Sequence, residues 1–189
     1  QAKHTGKLLL DFGRLAPSND NGEERLQPAD NSVVLITGGL GGLGLMTAQW
    51  LVERGEKHLV LLSRKGVVSE QQKEVVDRIR NSGVIVDVLT VDVSDADQLA
   101  TALKRFLDGS GPSLRGVIHA AGVLADHRLE QQTEETFQEV FKPKAIGAWN
   151  LHELTKDLSL EYFILFSSAA GVFGAPGQAN HAVANSFLD

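Results

Sequence analysis

The residues best suited to chemistry form a glycine-rich turn, Thr37-Gly38-Gly39-Leu40-Gly41-Gly42-Leu43-Gly44. It satisfies two patterns at once: Gly39-x-Gly41-x-x-Gly44, and Thr37-Gly38 followed by Gly42-x-Gly44. An apolar, β-branched run at 33–36 precedes it, and an apolar-periodic segment at 45–52 follows. Buried strand, tight turn and helix start are the order that cradles a dinucleotide pyrophosphate. Glycines let the backbone approach the phosphates, while the helix N-terminus supplies unpaired N–H groups and partial positive charge. Glycines also serve ordinary tight turns, so the flanking strand and helix carry the argument. A triphosphate-binding loop does not fit, because Leu45-Met46 stand where it needs Lys-Ser/Thr.

Ser63-Arg64-Lys65 ends the next strand, where the adenosine ribose of such a cofactor would lie. An NAD site places a carboxylate there for the 2′-hydroxyl. A guanidinium instead matches a phosphate with paired hydrogen bonds. The expected cofactor is therefore NADPH, with Arg64 on the 2′-phosphate and Ser63 among the cofactor-binding residues; the rival reading is a solvated basic turn. Asp92-Val93 follows the third strand and either borders the adenine or, through Asp92, caps the helix starting at Ser94. His119-Ala120-Ala121-Gly122 ends the fourth strand, and Ala120, Ala121 and Gly122 are small enough for backbone to lie against a cofactor. His119 itself is read as structural. Further along, His181 and Asn185 stand i to i+4, on one helical face.

The elements that must position these groups alternate. Strands are expected at 33–37, 58–63, 84–91, 114–119 and 160–167. Between them, Ser69 with Gln72 forms a capping box for a helix carrying Val75, Val76 and Ile79. Ser94 is expected to cap a helix carrying Leu99, Leu103, Phe106 and Leu107. A helical stretch spans 133–155, with Pro143 expected to interrupt or restart it. This pattern predicts an α/β fold: a Rossmann-like, doubly wound parallel sheet with helices on both faces. Residues 15–31, with Pro17, Asn19, Gly22 and Pro28, read as a linker, and residues 7–12 as a lone strand belonging to another unit.

Composition narrows the classes. The 189 residues suit one α/β domain, and 42% hydrophobic with 22% charged residues is ordinary for a globular chain. A net charge of −6 argues against a nucleic-acid or anionic-membrane partner. The absence of cysteine excludes disulfides, thiolate metal sites and cysteine nucleophiles. No stretch reaches the roughly 18 apolar residues of a membrane span, and no signal peptide opens the chain, so a cytoplasmic setting is expected. No metal ligands are assigned.

Phe166-Ser167-Ser168-Ala169-Ala170-Gly171 and Gly177-Gln178-Ala179-Asn180-His181-Ala182-Val183-Ala184-Asn185 complete the informative residues. With the glycine turn and His119-Ala120-Ala121-Gly122, residues 32–189 resemble the ketoreductase domain of modular polyketide synthases, in the short-chain dehydrogenase/reductase superfamily. That family's catalytic set is a Ser, a Tyr thirteen residues later, an Asn four beyond that, and a Lys on the preceding helix. Ser168, Asn185 and Lys144 match, Lys142 being a near alternative to the lysine. His181 occupies the tyrosine position, the clear departure.

The resemblance implies NADPH-dependent reduction of a β-ketoacyl thioester carried on an acyl carrier protein. Ser168 would hold the carbonyl oxygen, Lys144 favour proton donation, Asn185 support the relay and His181 donate the proton. It also leaves open a domain that binds cofactor without turnover, a structural member of a synthase. An independent dehydrogenase of sugars or alcohols is disfavoured by the linker. Leu124-Ala125-Asp126 resembles the family's B-type stereochemical signature, with Asp126 its diagnostic residue, Pro176 and Asn180 agreeing, and Phe173 at the A-type tryptophan position. Residues 1–14 resemble the end of an enoylreductase domain, so enoylreductase and dehydratase domains are implied neighbours. Family members continue past Asn185 into further strands and a lid, so the resemblance implies a domain incomplete at its C-terminal side.

Overall fold

The computed structural model describes residues 31–189. The enoylreductase-like tail, the lone strand and all of the linker but Asn31 lie outside the described residues.

β1 (Ser32–Thr37) sits at the centre because every one of its side chains is apolar or small and buried. It pairs in parallel with β2 (His58–Ser63) on one side and β4 (Ser113–His119) on the other. β3 (Ile85–Thr90) flanks β2, and β5 (Tyr162–Leu165) flanks β4, giving the order β3-β2-β1-β4-β5. Alternation along β1 builds two cores. Val33 and Leu35 face α3 (Ala96–Leu107) and α5 (Gly147–Thr155), joining Leu99, Leu103, Phe106 and Leu151. Val34 and Ile36 face α1 (Gly42–Glu53) and α2 (Glu70–Asn81), joining Ala48, Leu51, Val76 and Ile79. Each such aliphatic side chain contributes about 1.5–3 kcal/mol by leaving water. The doubly wound parallel sheet expected from the sequence is the architecture present.

Local signals act largely as expected. Ser69 and Gln72 form a reciprocal capping box at α2, and Gln72 Nε2 also donates to Leu40 O at 2.9 Å, tying α2 to the glycine turn. Three details differ. Asp95, not Ser94, caps α3: its carboxylate accepts Gln98 N at 3.0 Å, while the Ser94 hydroxyl donates to Asp92 Oδ1 at 2.7 Å. β5 is shorter than 160–167, since Ser167 N turns back to Leu165 O at 3.1 Å. At Pro143 the expected interruption is a change of helix type and not a chain break. α4 (Glu134–Phe141) runs into a π turn (Lys142–Ile146) and on into α5. Proline has no N–H and its ring crowds the preceding turn, and a locally widened turn absorbs both.

Two short helices, α6 (Ala170–Phe173) and α7 (Ala179–Leu188), follow β5 beyond the C-terminal ends of the strands. None of the described helices is long and apolar enough to cross a membrane.

Candidate functional site

The glycine turn bends between β1 and α1 beside the end of β4. Gly38 has φ of 65°, and a Cβ there would lie 2.7 Å from Ala120 O, so a side chain is excluded twice over. A Cβ on Gly44 would overlap the Gly38 carbonyl oxygen, which lets α1 start directly on the turn. Gly41 caps α1 without a side chain, and its first turn holds no acidic residue. The leading N–H groups of this three-turn helix are therefore left for an external acceptor.

A cleft opens at this turn, lined by Gly38, Leu40 and Gly41. Ser63, Arg64, Val93, Ala120, Ala121 and Gly122, all expected at a cofactor, line it too. Lys65 and Pro143 also line it. Gly42 and Leu43 are exposed at the helix start, whereas Gly39 and Gly44 are buried inside the turn and act through packing. Two expected cofactor residues are elsewhere. Thr37 is fully buried, with its hydroxyl 2.6 Å from His119 Nδ1. Asp92 does not line the cleft; its Oδ1 accepts both Ser94 N at 2.9 Å and the Ser94 hydroxyl at 2.7 Å, a local turn, and the helix cap that was its rival reading falls to Asp95 instead.

Lys144 comes from the π turn and is 7% exposed. Its Nζ donates to Phe166 O at 2.8 Å and lies 4.0 Å from the Cβ position of Gly122, at the cleft's edge. Burial holds its pKa below the usual lysine value, and among the described residues no carboxylate counteracts this. Lys142, by contrast, is exposed.

His181 and Asn185 occupy successive turns of α7, where Asn185 Nδ2 donates to His181 O at 2.7 Å. Asn185 is fully buried, and among the described residues its Oδ1 has no partner; neither does the buried Nδ1 of His181. Burial depresses the His181 pKa, the Lys144 charge depresses it further, and the Asp126 carboxylate opposes both. Lys144 and His181 thus share one electrostatic environment. Ser168 lies before α6, half-buried, with its Oγ accepting Ala170 N at 3.2 Å. Asp126 is exposed and accepts Gln178 Nε2 at 3.0 Å.

Two side chains connect these elements: Asn180, expected only as agreeing with the B-type signature, and Gln178, to which no role was expected. Asn180 is fully buried: its Nδ2 donates to Ala125 O at 2.7 Å and Thr136 O at 3.0 Å, and its Oδ1 accepts His181 N at 2.7 Å. One amide therefore fixes the start of α7 against α4 and the Asp126 loop. Gln178, the residue before α7, ties the same loop through Asp126. An asparagine directly before a helix-borne candidate residue was the available signal.

A buried ammonium, an imidazole with an unpaired nitrogen and a half-buried hydroxyl can polarise and protonate a carbonyl oxygen. No group of His, Asp or Glu among the described residues is arranged to hold a metal ion.

A model of the KR domain matches residues 32–189. The chain belongs to the ketoreductase (KR) domain family of polyketide synthases. It is 40% identical over 190 residues to a phenolphthiocerol-synthesis type I polyketide synthase of Mycobacterium marinum, covering 100% of this chain and 9% of that protein. It is also 40% identical over 190 residues to an erythronolide synthase of Saccharopolyspora erythraea, covering 100% of this chain and 5% of that protein. Among solved structures, the ketoreductase from the first module of phoslactomycin biosynthesis in a Streptomyces species matches with a TM-score of 0.78 and 38% identity, over 84% of this chain and 37% of that one. An A-type ketoreductase from a modular polyketide synthase matches with a TM-score of 0.79 and 37% identity, over 88% and 35%. The KR chain thus spans less than a tenth of those curated relatives and little over a third of the solved chains.

KR domains of this superfamily bind a nicotinamide cofactor. The KR cleft here fits one: the turn that a Cβ at Gly38 would fill, the uncapped start of α1, and the cleft-lining Arg64 suit pyrophosphate and ribose.

Proposed function

We propose that this KR domain reduces a β-ketoacyl thioester, presented by an acyl carrier protein, to the β-hydroxyacyl thioester with NADPH. Neighbouring enoylreductase and dehydratase domains would belong to the same synthase. The observation that carries this is Lys144: a buried ammonium with no carboxylate partner among the described residues, its charge depressing His181, and its Nζ 4.0 Å from the Cβ position of the cleft-lining Gly122.

In this reading the cleft-lining Gly38, Leu40 and Gly41 would hold the pyrophosphate, Arg64 would hold the 2′-phosphate beside Ser63, and Ala120 to Gly122 would lie against the cofactor. The chemistry the cofactor would supply when bound is the hydride. Ser168 Oγ donates to the substrate carbonyl oxygen and orients it. The imidazolium of His181 gives its proton to the developing alkoxide, and Lys144 stabilises that negative charge. Asn185 holds the His181 backbone and offers Oδ1 to a relay water. Asp126, held by Gln178, favours the imidazolium and supports the B-type hydroxyl configuration.

Because the His181 pKa lies below 6.5, the charged acid becomes scarce through the neutral range. Turnover is therefore expected to fall about tenfold per pH unit once the pH exceeds that pKa. The same depression supports a second reading, cofactor binding without turnover.

NADPH consumption with a simple β-keto thioester separates them, using the full polypeptide that carries these residues. Activity that vanishes in His181→Phe and moves to higher pH in His181→Tyr supports histidine as the acid. Cofactor binding with no turnover, rescued by His181→Tyr, would favour the second reading. Activity unchanged in His181→Phe overturns the assignment of the acid.

A further inference from the structure

His119 lies outside the proposed proton transfer, yet it touches the residue that transfer depends on. It is the last residue of β4, fully buried, with its ring between the end of β1 and the π turn. Nε2 lies 2.9 Å from Lys144 O. A carbonyl oxygen only accepts, so Nε2 must carry the hydrogen. Burial pushes the imidazole pKa down to about 4, so the ring is neutral and Nδ1 keeps its lone pair. The Thr37 hydroxyl, 2.6 Å away, must then donate to Nδ1. Its two partners therefore allow a single tautomer.

A second connection returns to the same residue. The His119 carbonyl accepts Phe166 N at 3.0 Å, and the Phe166 carbonyl accepts Lys144 Nζ at 2.8 Å. The hydrogen bonds close a circuit: His119 ring to Lys144 carbonyl, Lys144 ammonium to Phe166 carbonyl, Phe166 N–H to His119 carbonyl. His119 thereby holds Lys144 at both its main chain and its side-chain tip. The far side of the ring is closed as well, since a Cβ on Gly147 would lie 3.1 Å from His119 Cε1 and 2.7 Å from Val93 Cγ1.

We propose that His119 is a positioning residue for reduction: its Nε2–H fixes the π turn, and so the place of the Lys144 ammonium, while taking no proton itself. The wide turn releases the Lys144 segment from regular helix geometry, and the imidazole supplies the constraint that replaces it. A small displacement of a charge that acts on a transition state is costly without any loss of binding.

This inference rests on the role given to Lys144, so Lys144→Met is the reference variant. The two informative substitutions at His119 differ in reach. Glutamine can place an amide N–H where Nε2 stood, whereas asparagine is too short and reaches only the Nδ1 side. In the full polypeptide, His119→Asn is expected to lower kcat about 10- to 100-fold, with KM and NADPH affinity, read by nucleotide fluorescence, nearly unchanged. His119→Gln is expected to restore most of kcat. Nitrogen-15 NMR of the cofactor-free protein provides a readout independent of turnover and of variant folding. It should show one neutral histidine with the hydrogen on Nε2 from about pH 5 to 8.

A protonated or Nδ1–H ring at pH 7 overturns the proposal even if His119→Asn fails to fold. So does a folded His119→Asn protein with unchanged kcat, or one in which glutamine rescues no better than asparagine. If Lys144→Met itself leaves turnover intact, the reading of Lys144 fails; if only the His119 variants are silent, the positioning role fails alone.

Discussion

Arg115, near the start of β4, and Lys144, beyond its end, are both buried cations, with side-chain exposure of 4% and residue exposure of 7% respectively. Arg115 Nη1 lies 2.9 Å from Glu56 Oε1, and its Nε lies 3.0 Å from Glu161 Oε2. Lys144 has a backbone carbonyl and, among the described residues, no carboxylate. One end of the sheet neutralises its charge, which anchors the strands. The other leaves its charge uncompensated, which destabilises the ammonium and keeps its field available to a ligand. A buried cation placed beside an open cleft without a counterion is the mark of a working end.

The largest expected effect comes from unbalancing the paired end. Arg115→Met leaves Glu56 buried alone and should cost about 3–5 kcal/mol in urea unfolding. The double variant Arg115→Met with Glu56→Gln should recover most of that. Recovery failing would mean that packing rather than charge holds this end.

Acid should act on the two ends in opposite directions. The folded His119 pKa of about 4 lies below the 6.5 of an unfolded histidine, so the unfolded chain takes the proton first as pH falls. Stability fully present above pH 6.5 is then lost toward pH 4, by about 3 kcal/mol in total. Burial instead raises the Glu56 pKa despite Arg115, so the folded chain takes that proton first and acid favours this end of the fold. Urea midpoints between pH 4 and 7 should show the net slope, and His119→Gln should remove the histidine part. A slope unchanged by that substitution would place the titrating group elsewhere.

The smallest stability effect is expected at the open end. Lys144→Met removes an unpaired buried charge, so its unfolding free energy should stay within about 0.5 kcal/mol of the parent or rise. A loss as large as that of Arg115→Met would erase the contrast between the two ends.

The sequence carries the architecture in short-range signals. The unbroken apolar run at 33–36 marks a strand buried on both faces, and Ser69 with Gln72 states a helix start within four positions. The cleft residues Gly38, Arg64 and Ala120 are legible for the same reason, since each follows directly from the strand that ends before it. What escapes is decided across the chain. The Thr37 hydroxyl serves a histidine 82 residues away rather than a cofactor. Asn180 joins backbone 55 and 44 residues distant. Pro143 signals a break in helix geometry, but the wide turn that absorbs it is held by His119, which no local pattern connects to it. At Asp92-Val93-Ser94-Asp95 several residues are competent caps, and local propensity does not rank them.

The uncapped beginning of α1 ties the endurance of the molecule to its surroundings. A side-chain cap contributes about 1 kcal/mol to a helix, and α1 has none. An anion seated at its first turn supplies what the sequence leaves out, and by mass action every increment of occupancy adds to resistance against unfolding. At a free ligand concentration a hundred times Kd, that linkage amounts to about 2.7 kcal/mol. A starved protein should therefore be cleaved by proteases and exchange its α1 amide hydrogens sooner than a saturated one, which makes its lifetime a reporter of the nucleotide pool.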